Sequence, residues 1–230
     1  PTQNSIKIHD LLRHTSGITY GVFGNSPAKN KLKNSQIGDL NNINISLEKY
    51  VQILSSYPLA YEPGTHWEYG RSVEVLGRLI EKSSKLKLDK FLKNNIFLPL
   101  NMKDTGFFVD KKNWNRIANP FEDTGEPELI NVKKNPVFLT GGHGLVSTVE
   151  DYMNFCLMLI NKGLFNDTNI LGKKTIEYMT SNHLGKNISR EGPYYLPGEG
   201  YGFGLGFAVR EDNGISPWPG SKGEFFWAGY

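Results

Sequence analysis

Residues 62–81, with the sequence EPGTHWEYGRSVEVLGRLIE, decide the fold that we predict for this chain. Pro63 and Gly64 favour a turn over residues 61–65. Beyond Tyr69 the apolar residues recur at the spacing of one helical face, which predicts a helix over about 72–83 with the face Val73, Leu76, Leu79 and Ile80. Tyr69 therefore lies directly ahead of the entrance to a helix.

Helical patterns flank this stretch on both sides. Upstream, the sequence predicts a short helix within residues 5–13 that ends before Gly17, then a long loop over 18–45 that is rich in Asn, Gly, Lys and Ser. Ser46 is predicted to cap the next helix, whose apolar face is Leu47, Tyr50, Val51 and Leu54. Short helices are also predicted over residues 88–95 and 172–180.

A stronger helix is predicted after residue 147. Ser147 and Glu150 have the spacing of a capping box, in which the first and fourth residues satisfy backbone donors of the first turn. Gly163 follows the end of the pattern. We expect the face that packs inward to be Val149, Met153, Cys156 and Ile160.

Strand patterns lie toward the end of the chain. Alternating apolar residues predict a strand over 203–209, and an aromatic-rich run predicts another over 224–227. The apolar run continues to Tyr230 without a turn or a partner strand, so we expect the domain to extend beyond residue 230. No repeat or shift of composition divides residues 1–230, which predicts one α/β domain.

Composition limits the kind of partner and site. A net charge of +3 with scattered basic residues does not indicate a nucleic-acid-binding protein. The single cysteine, Cys156, allows no intramolecular disulfide or cysteine metal site, and we expect it to be a small core residue. No apolar run has the length of a transmembrane helix. Periplasmic and cytoplasmic locations both remain open.

Three motifs, in this order, identify a family. They are His14-Thr15-Ser16-Gly17, the 62–69 stretch with its following helix, and Gly141-Gly142-His143-Gly144-Leu145-Val146-Ser147-Thr148. With residues 99–107, PLNMKDTGF, they resemble the serine β-lactamase and penicillin-binding-protein superfamily along nearly the whole chain. The resemblance implies a β-lactamase/transpeptidase-like fold, a helical region beside an antiparallel sheet that returns from about residue 201.

The resemblance also implies a catalytic role for Tyr69. Members of this superfamily use a Ser-x-x-Lys serine as acyl acceptor and a motif tyrosine as its partner base, and Tyr69 falls on the tyrosine's position. A phenol with a reference pKa of about 10 needs neighbouring cations to act as a base at neutral pH. The structural alternative is that Tyr69 only packs at the helix entrance.

Two departures from the superfamily's motifs point to its esterase branch. Arg71 replaces the asparagine after the tyrosine, and Trp227-Ala228-Gly229 replaces the Lys-Thr-Gly strand. Both resemble family VIII carboxylesterases, which implies that Arg71 and Trp227-Ala228-Gly229 contact substrate and that Trp227 lines the acyl pocket. A buried core tryptophan is the alternative for Trp227.

No serine in this chain is a convincing nucleophile. Three Ser-x-x-Lys strings begin at Ser26, Ser46 and Ser84, but the first lies in the predicted loop, the second is a helix cap and the third follows a helix. We expect the true motif upstream of His14, so that this chain is a partial domain, truncated at both ends and inactive by itself. The histidines form neither a Gly-x-Ser-x-Gly triad nor a His-Glu-x-x-His zinc motif.

The sequence therefore predicts a serine hydrolase that cleaves a small-molecule ester or related acyl compound through an acyl-serine, without metal or cofactor. Tyr69 is the predicted catalytic residue, and Arg71, His143, Trp227, Ala228 and Gly229 are the predicted substrate-binding residues. His143 is either a residue of the site's rim or a structural histidine. A β-lactamase, a D-alanyl-D-alanine carboxypeptidase and a non-catalytic ligand-binding relative remain alternatives.

Overall fold

A computed structural model describes residues 2–119, 130–190 and 193–229. Tyr230, at the end of the predicted terminal run, lies outside the described residues. Seven α-helices occur in the described part: α1 Ile8–Leu12, α2 Pro27–Lys33, α3 Leu47–Leu54, α4 Ser72–Ser84, α5 Leu88–Leu92, α6 Val149–Ile160 and α7 Lys173–Met179. The strands there are β1 Leu164–Phe165, β2 Thr168–Asn169, β3 Tyr201–Phe203, β4 Ala208–Arg210 and β5 Phe225–Phe226.

Helix α4 is the centre of the helical region, since it packs against α1, α3 and α5. The residues of α4 that are fully buried are Ser72, Glu74 and Gly77, while the predicted apolar face is only half-buried. The core beside it is formed by Leu32, Ile37, Leu47, Tyr50, Leu54, Leu88, Phe107, Phe138 and Leu139. A carboxylate inside this core is unusual and requires partners.

The three-stranded sheet is antiparallel with the order β3-β4-β5, and β1 and β2 form a separate antiparallel pair. Tyr201 pairs with Arg210, and Val209 pairs with both Gly202 and Phe225. The buried cluster on this sheet consists of Trp67, Leu184, Ile188, Tyr201, Phe203 and Ala208, against which Tyr69 and Trp227 pack. The sheet therefore joins the segment before α4 to the residues that follow β5.

The prediction of a single strand over 203–209 was wrong. The chain reverses between β3 and β4, where Gly204 N–H donates to Phe207 C=O at 2.7 Å. Gly206 has φ +91°, a conformation that glycine adopts without strain. Alternation alone cannot distinguish one strand from a tight hairpin whose turn also contains apolar residues.

The loop predicted over 18–45 contains helix α2. Ser26 Oγ accepts the backbone N–H of Lys29 at 3.3 Å, and Pro27 occupies the first helical position, where its missing N–H costs nothing. The interior of α2 is rich in lysine and asparagine, which hid the helix from a search for apolar periodicity. The Ser26-Pro27 pair was the signal that could have found it.

Helix α6 forms as predicted, but its cap and its inner face differ. Thr148 Oγ1 accepts Asp151 N–H at 3.2 Å, so Thr148 is the cap instead of Ser147. Met158 and Leu159 pack inward, whereas Val149 is 86% exposed. Because every residue of α6 from Phe155 to Ile160 is apolar, periodicity could not select the buried face; Cys156 is only partly buried.

Candidate active site

Tyr69 is held among aromatic rings at the entrance to α4. Its ring centroid lies 5.0 Å from those of His14 and Trp227 and 5.1 Å from that of Tyr20. The following residue must be glycine, because a Cβ on Gly70 would overlap the carbonyl oxygen of Ile18. This close backbone contact and the surrounding rings fix the orientation of the Tyr69 phenol.

Trp227 makes the hydrogen bond that defines the site. Its indole Nε1–H donates to the phenol oxygen of Tyr69 at 3.2 Å, across 158 positions of sequence. Trp227 follows directly after β5, so the register of the sheet places the indole beside Tyr69.

Tyr69 and Trp227 open onto a large groove, about 2100 Å³ in volume. Ala228, Gly229, Gly142 and His143 line the same groove. Its volume exceeds the roughly 300–1,000 Å³ of an ordinary ligand pocket, so a small substrate alone would not fill it. Five of the six predicted site residues, all except Arg71, are therefore brought to one groove.

His143 belongs to a buried polar cluster at one wall of this groove. Its Nδ1 lies 3.0 Å from Thr140 Oγ1, and that hydroxyl donates to Glu74 Oε1 at 3.1 Å. Gly142 N–H also donates to the Thr140 hydroxyl, at 3.1 Å. A Cβ on Gly142 would lie 2.6 Å from Glu74 Oε1, so the backbone here needs glycine to approach the carboxylate.

The Glu74 carboxyl is fully buried, and its pKa is raised to about 7. Burial is the largest cause, and it is only partly offset by the hydrogen bonds of the carboxyl to its own backbone N–H and to Thr140 and by the charge of Arg71. Glu74 Oε2 has no hydrogen-bond partner among the described residues. Burial followed by the charge of Arg71 also lowers the pKa of His143, so its imidazole is neutral at pH 7.

Arg71 does not line the groove, and its placement argues against a contact with substrate. Its guanidinium is buried and donates to the carbonyls of Ile37 and Gly38 and to the hydroxyl of Tyr50 at 2.6 Å. These bonds tie the segment after α2 and helix α3 to the start of α4. We interpret Arg71 as a structural cation in place of a substrate-binding residue.

The other histidines and the Ser-x-x-Lys strings have structural partners. His14 is buried against Trp67, Tyr69 and Phe203, and burial lowers its pKa to about 4. Ser26 and Ser46 cap α2 and α3. Ser84 donates to Ile80 C=O, at the end of α4.

Glu74 and Thr140 are bonded in series to His143, and Tyr20 packs against Tyr69, but no motif of the sequence indicates these three residues. The signal for Glu74 was a lone carboxylate between Val73 and Val75 in a helix that had to be buried. Nothing local marks Thr140 or Tyr20, because their roles depend on contacts between distant segments. Within the described residues, no group of three or more His, Cys, Asp or Glu side chains could hold a metal ion.

The helical region, the antiparallel sheet and the tyrosine at the entrance to α4 are features of the serine β-lactamase and penicillin-binding-protein class. The chain belongs to the Beta-lactamase family, whose sequence profile matches residues 1–230. Its fold resembles that of EstCE1, a hydrolase with promiscuous acyltransferase activity, with a TM-score of 0.73 at 23% identity over 95% of this chain and 60% of the other.

Curated relatives are longer than this chain. Protein Rv1367c of Mycobacterium tuberculosis is 27% identical over 242 residues, which cover 100% of this chain and 58% of the relative. The lovastatin esterase of Penicillium rubens is 27% identical over 248 residues, which cover 96% of this chain and 58% of that enzyme. The chain thus spans less than two thirds of the length of either relative. No helix in the described ranges is long and apolar enough to cross a membrane.

Proposed function

We propose that the full-length protein containing this chain is a serine hydrolase that cleaves a small-molecule ester through an acyl-serine intermediate. The observation that carries the proposal is the hydrogen bond from Trp227 Nε1 to the Tyr69 phenol oxygen at 3.2 Å. Family membership and a relative named as an esterase support the same reaction class.

In this proposal Tyr69 is the base that activates the serine. The phenolate takes the proton of the serine hydroxyl as the serine oxygen attacks the ester carbonyl, and it returns the proton to the departing alcohol. Water then attacks the acyl-serine and releases the acid. The serine and the lysine of its motif come from sequence outside residues 1–230.

The residues around the phenol support this role electrostatically. The indole N–H of Trp227 donates to the phenol oxygen, and the motif lysine would provide a positive charge beside it. The rings of His14 and Tyr20 pack against the phenol ring. A base held in one orientation transfers a proton with a smaller barrier.

The proposed acyl slot is formed by Trp227, Ala228 and Gly229. They line the groove next to Tyr69 and present one large apolar ring and two small residues. An apolar wall suits an uncharged acyl or alcohol group. We propose a neutral ester as the substrate class for this reason.

Tyr69→Phe in the full-length protein tests the proposal. We expect kcat for p-nitrophenyl butyrate to fall about a hundredfold, since the variant keeps the ring and loses the base. Tyr152→Phe is the matched control, because Tyr152 is exposed on α6 and does not line the groove. Near-normal turnover by a folded Tyr69→Phe variant would show that Tyr69 is a packing residue.

Trp227→Phe tests the hydrogen bond itself. The variant retains an aromatic wall but removes the N–H donor to Tyr69. We expect kcat for p-nitrophenyl butyrate to fall roughly tenfold, since the phenol oxygen loses its hydrogen-bond donor. An unchanged kcat in a folded Trp227→Phe variant would mean that Trp227 acts only by shape.

A further inference from the structure

Glu74 is a buried carboxyl group that the proposed acyl transfer does not use. It is connected to the groove by two successive hydrogen bonds, from Thr140 Oγ1 to Glu74 Oε1 at 3.1 Å and between Thr140 Oγ1 and His143 Nδ1 at 3.0 Å. His143 Nδ1 is 3.9 Å from Glu74 Oε1, so the Thr140 hydroxyl provides the connection.

The number of available protons fixes the tautomer of His143. An ionised Glu74 can only accept, so the single Thr140 hydroxyl proton points to Glu74 Oε1. The Thr140 oxygen then accepts from Gly142 N–H and from His143 Nδ1–H. In this state His143 Nε2 carries a lone pair.

That lone pair is available to a molecule in the groove. The His143 side chain is 25% exposed and lines the groove, and Nε2 makes no hydrogen bond to residues within 2–119, 130–190 or 193–229. When Glu74 is protonated, every bond of the series reverses: Glu74 donates to Thr140, Thr140 donates to His143 Nδ1, and Nε2 carries the proton.

We propose that His143, Thr140 and Glu74 form a proton relay that takes up a proton at His143 Nε2 from a hydroxyl compound in the groove and stores it on Glu74. The hydroxyl compound is the acyl acceptor, water or an alcohol, so this inference rests on the proposed function. The relay makes His143 a second catalytic residue, used when the acyl-serine is released.

The step balances in atoms and charge. The acceptor's O–H bond breaks as its oxygen attacks the acyl carbonyl, and an N–H bond forms at His143 Nε2. The Nδ1 proton moves to the Thr140 oxygen while the Thr140 proton moves to Glu74 Oε1, which becomes neutral. The bond between the serine oxygen and the acyl carbon then breaks, and the reverse movement returns the proton to the serine oxygen as the product leaves, an acid when the acceptor is water and an ester when it is an alcohol.

The charged and titratable groups around Glu74 suit a proton store. Arg71 at the start of α4 favours the carboxylate, while burial disfavours it and dominates. Tyr20, after α1, and Tyr50, on α3, both have their pKa values raised by burial and by the charge of Glu74, so neither ionises near neutral pH. Glu74 is therefore the member of this group that exchanges a proton near pH 7.

The protonated form of His143 is disfavoured in this position. Burial and Arg71 lower the pKa of its imidazole, and the ring packs against Phe138 at 6.5 Å. A proton that arrives at Nε2 is stabilised by passing its counterpart on to Glu74. Glu74 Oε2, which lacks a partner, also favours the neutral carboxyl over the ionised one.

Ring nitrogen NMR of the full-length protein tests the relay without any assay of activity. The His143 signals are assigned by their loss in His143→Asn. Between about pH 8.5 and pH 5.5 we expect the neutral ring to change from the Nδ1–H to the Nε2–H tautomer, with a midpoint near the Glu74 pKa of about 7. An unchanged tautomer across this range would overturn the relay.

Three variants separate the relay from a simple structural role. Thr140→Ser retains the hydroxyl and should keep the tautomer change, whereas Thr140→Val and Glu74→Gln should abolish it. Glu74→Gln is close in shape and guards against a Thr140→Val protein that does not fold. A tautomer change that persists unaltered in Glu74→Gln would contradict the proposal.

The kinetic measurement is the pH profile of kcat for ester hydrolysis. We expect Glu74→Gln and Thr140→Val to lower kcat by roughly tenfold or more and to remove its limb near pH 7, and Thr140→Ser to restore both. Retention of that limb in Glu74→Gln would overturn the relay's catalytic role. Tyr69→Phe should leave the NMR result unchanged, so failure of the hydrolase proposal and failure of the relay give different outcomes.

Discussion

At the scale of single residues, opposite charges surround the first turn of α4 without forming a direct hydrogen bond. Arg71 is bound to backbone carbonyls and Tyr50, and Glu74 is bound to Thr140. Arg71 Nε and Glu74 Oε2 both lack a hydrogen-bond partner among the described residues. A buried carboxyl in this state is more stable when neutral, which makes the stability of the fold depend on pH.

We expect the unfolding free energy to fall as the pH rises from about 4.5 to 7, by up to about 3 kcal/mol from Glu74. Glu74 loses its proton near its model value of 4.5 when unfolded but near 7 when folded, so the native state binds more protons in this interval. Urea denaturation of the parent protein and Glu74→Gln measures the effect. The unfolding free energy of Glu74→Gln should change less with pH over this range than that of the parent protein. An equal change with pH in the two proteins would contradict the raised pKa of Glu74.

The sequence predicts site residues where they belong to local motifs. Tyr69 and His143 were predicted because each lies in a short pattern next to a helix, and Trp227 because it replaces a motif residue; all three line one groove. Arg71 was predicted to contact substrate, but its guanidinium is buried against the carbonyls of Ile37 and Gly38, which are more than 30 positions away. Side-chain direction in such a contact depends on tertiary packing and has no local signal.

At the scale of elements, helix starts were easier to predict than the faces that helices bury. A capping side chain accepts a hydrogen bond from a backbone N–H three residues ahead, which is a local signal. Ser46 was therefore recognised correctly as the cap of α3. The inner face of α6 and the hairpin between β3 and β4 depend on packing against other elements. In both segments apolar residues occur at buried and at exposed positions alike, so the pattern does not show which are buried.

The cap of α6 provides a prediction with a matched control. Thr148→Ala should lower the unfolding free energy of the full-length protein by about 1 kcal/mol, because it removes the acceptor for Asp151 N–H. Ser147→Ala should lower the unfolding free energy by less than half as much, since the hydrogen bond between Ser147 Oγ and Thr105 Oγ1 is exposed to solvent. Chemical denaturation distinguishes the two, and a larger effect for Ser147→Ala would place the cap at Ser147.

At the scale of the whole molecule, the groove is formed by segments that are far apart in sequence. Tyr69 precedes α4, His143 precedes α6, and Trp227 follows β5. The hydrogen bond between Trp227 and Tyr69 shows that the sheet and the helical region meet at this point. Both regions therefore supply walls of the groove.

We expect the full-length enzyme to have a higher kcat/KM for p-nitrophenyl butyrate than for the β-lactam nitrocefin. A β-lactam carries a carboxylate, which pairs well with a cation and a hydroxyl. Trp227-Ala228-Gly229 offers neither group, and the guanidinium of Arg71 is buried and bound to Tyr50 and Gly38. A neutral ester loses little from these changes, because it needs only an acyl slot and an oxyanion site.

Trp227→Lys should narrow the difference in kcat/KM between the ester and nitrocefin by placing an ammonium group in the groove, and Trp227→Leu controls for the loss of the indole. Faster hydrolysis of nitrocefin than of the ester by the parent enzyme would show that the groove is built for β-lactams.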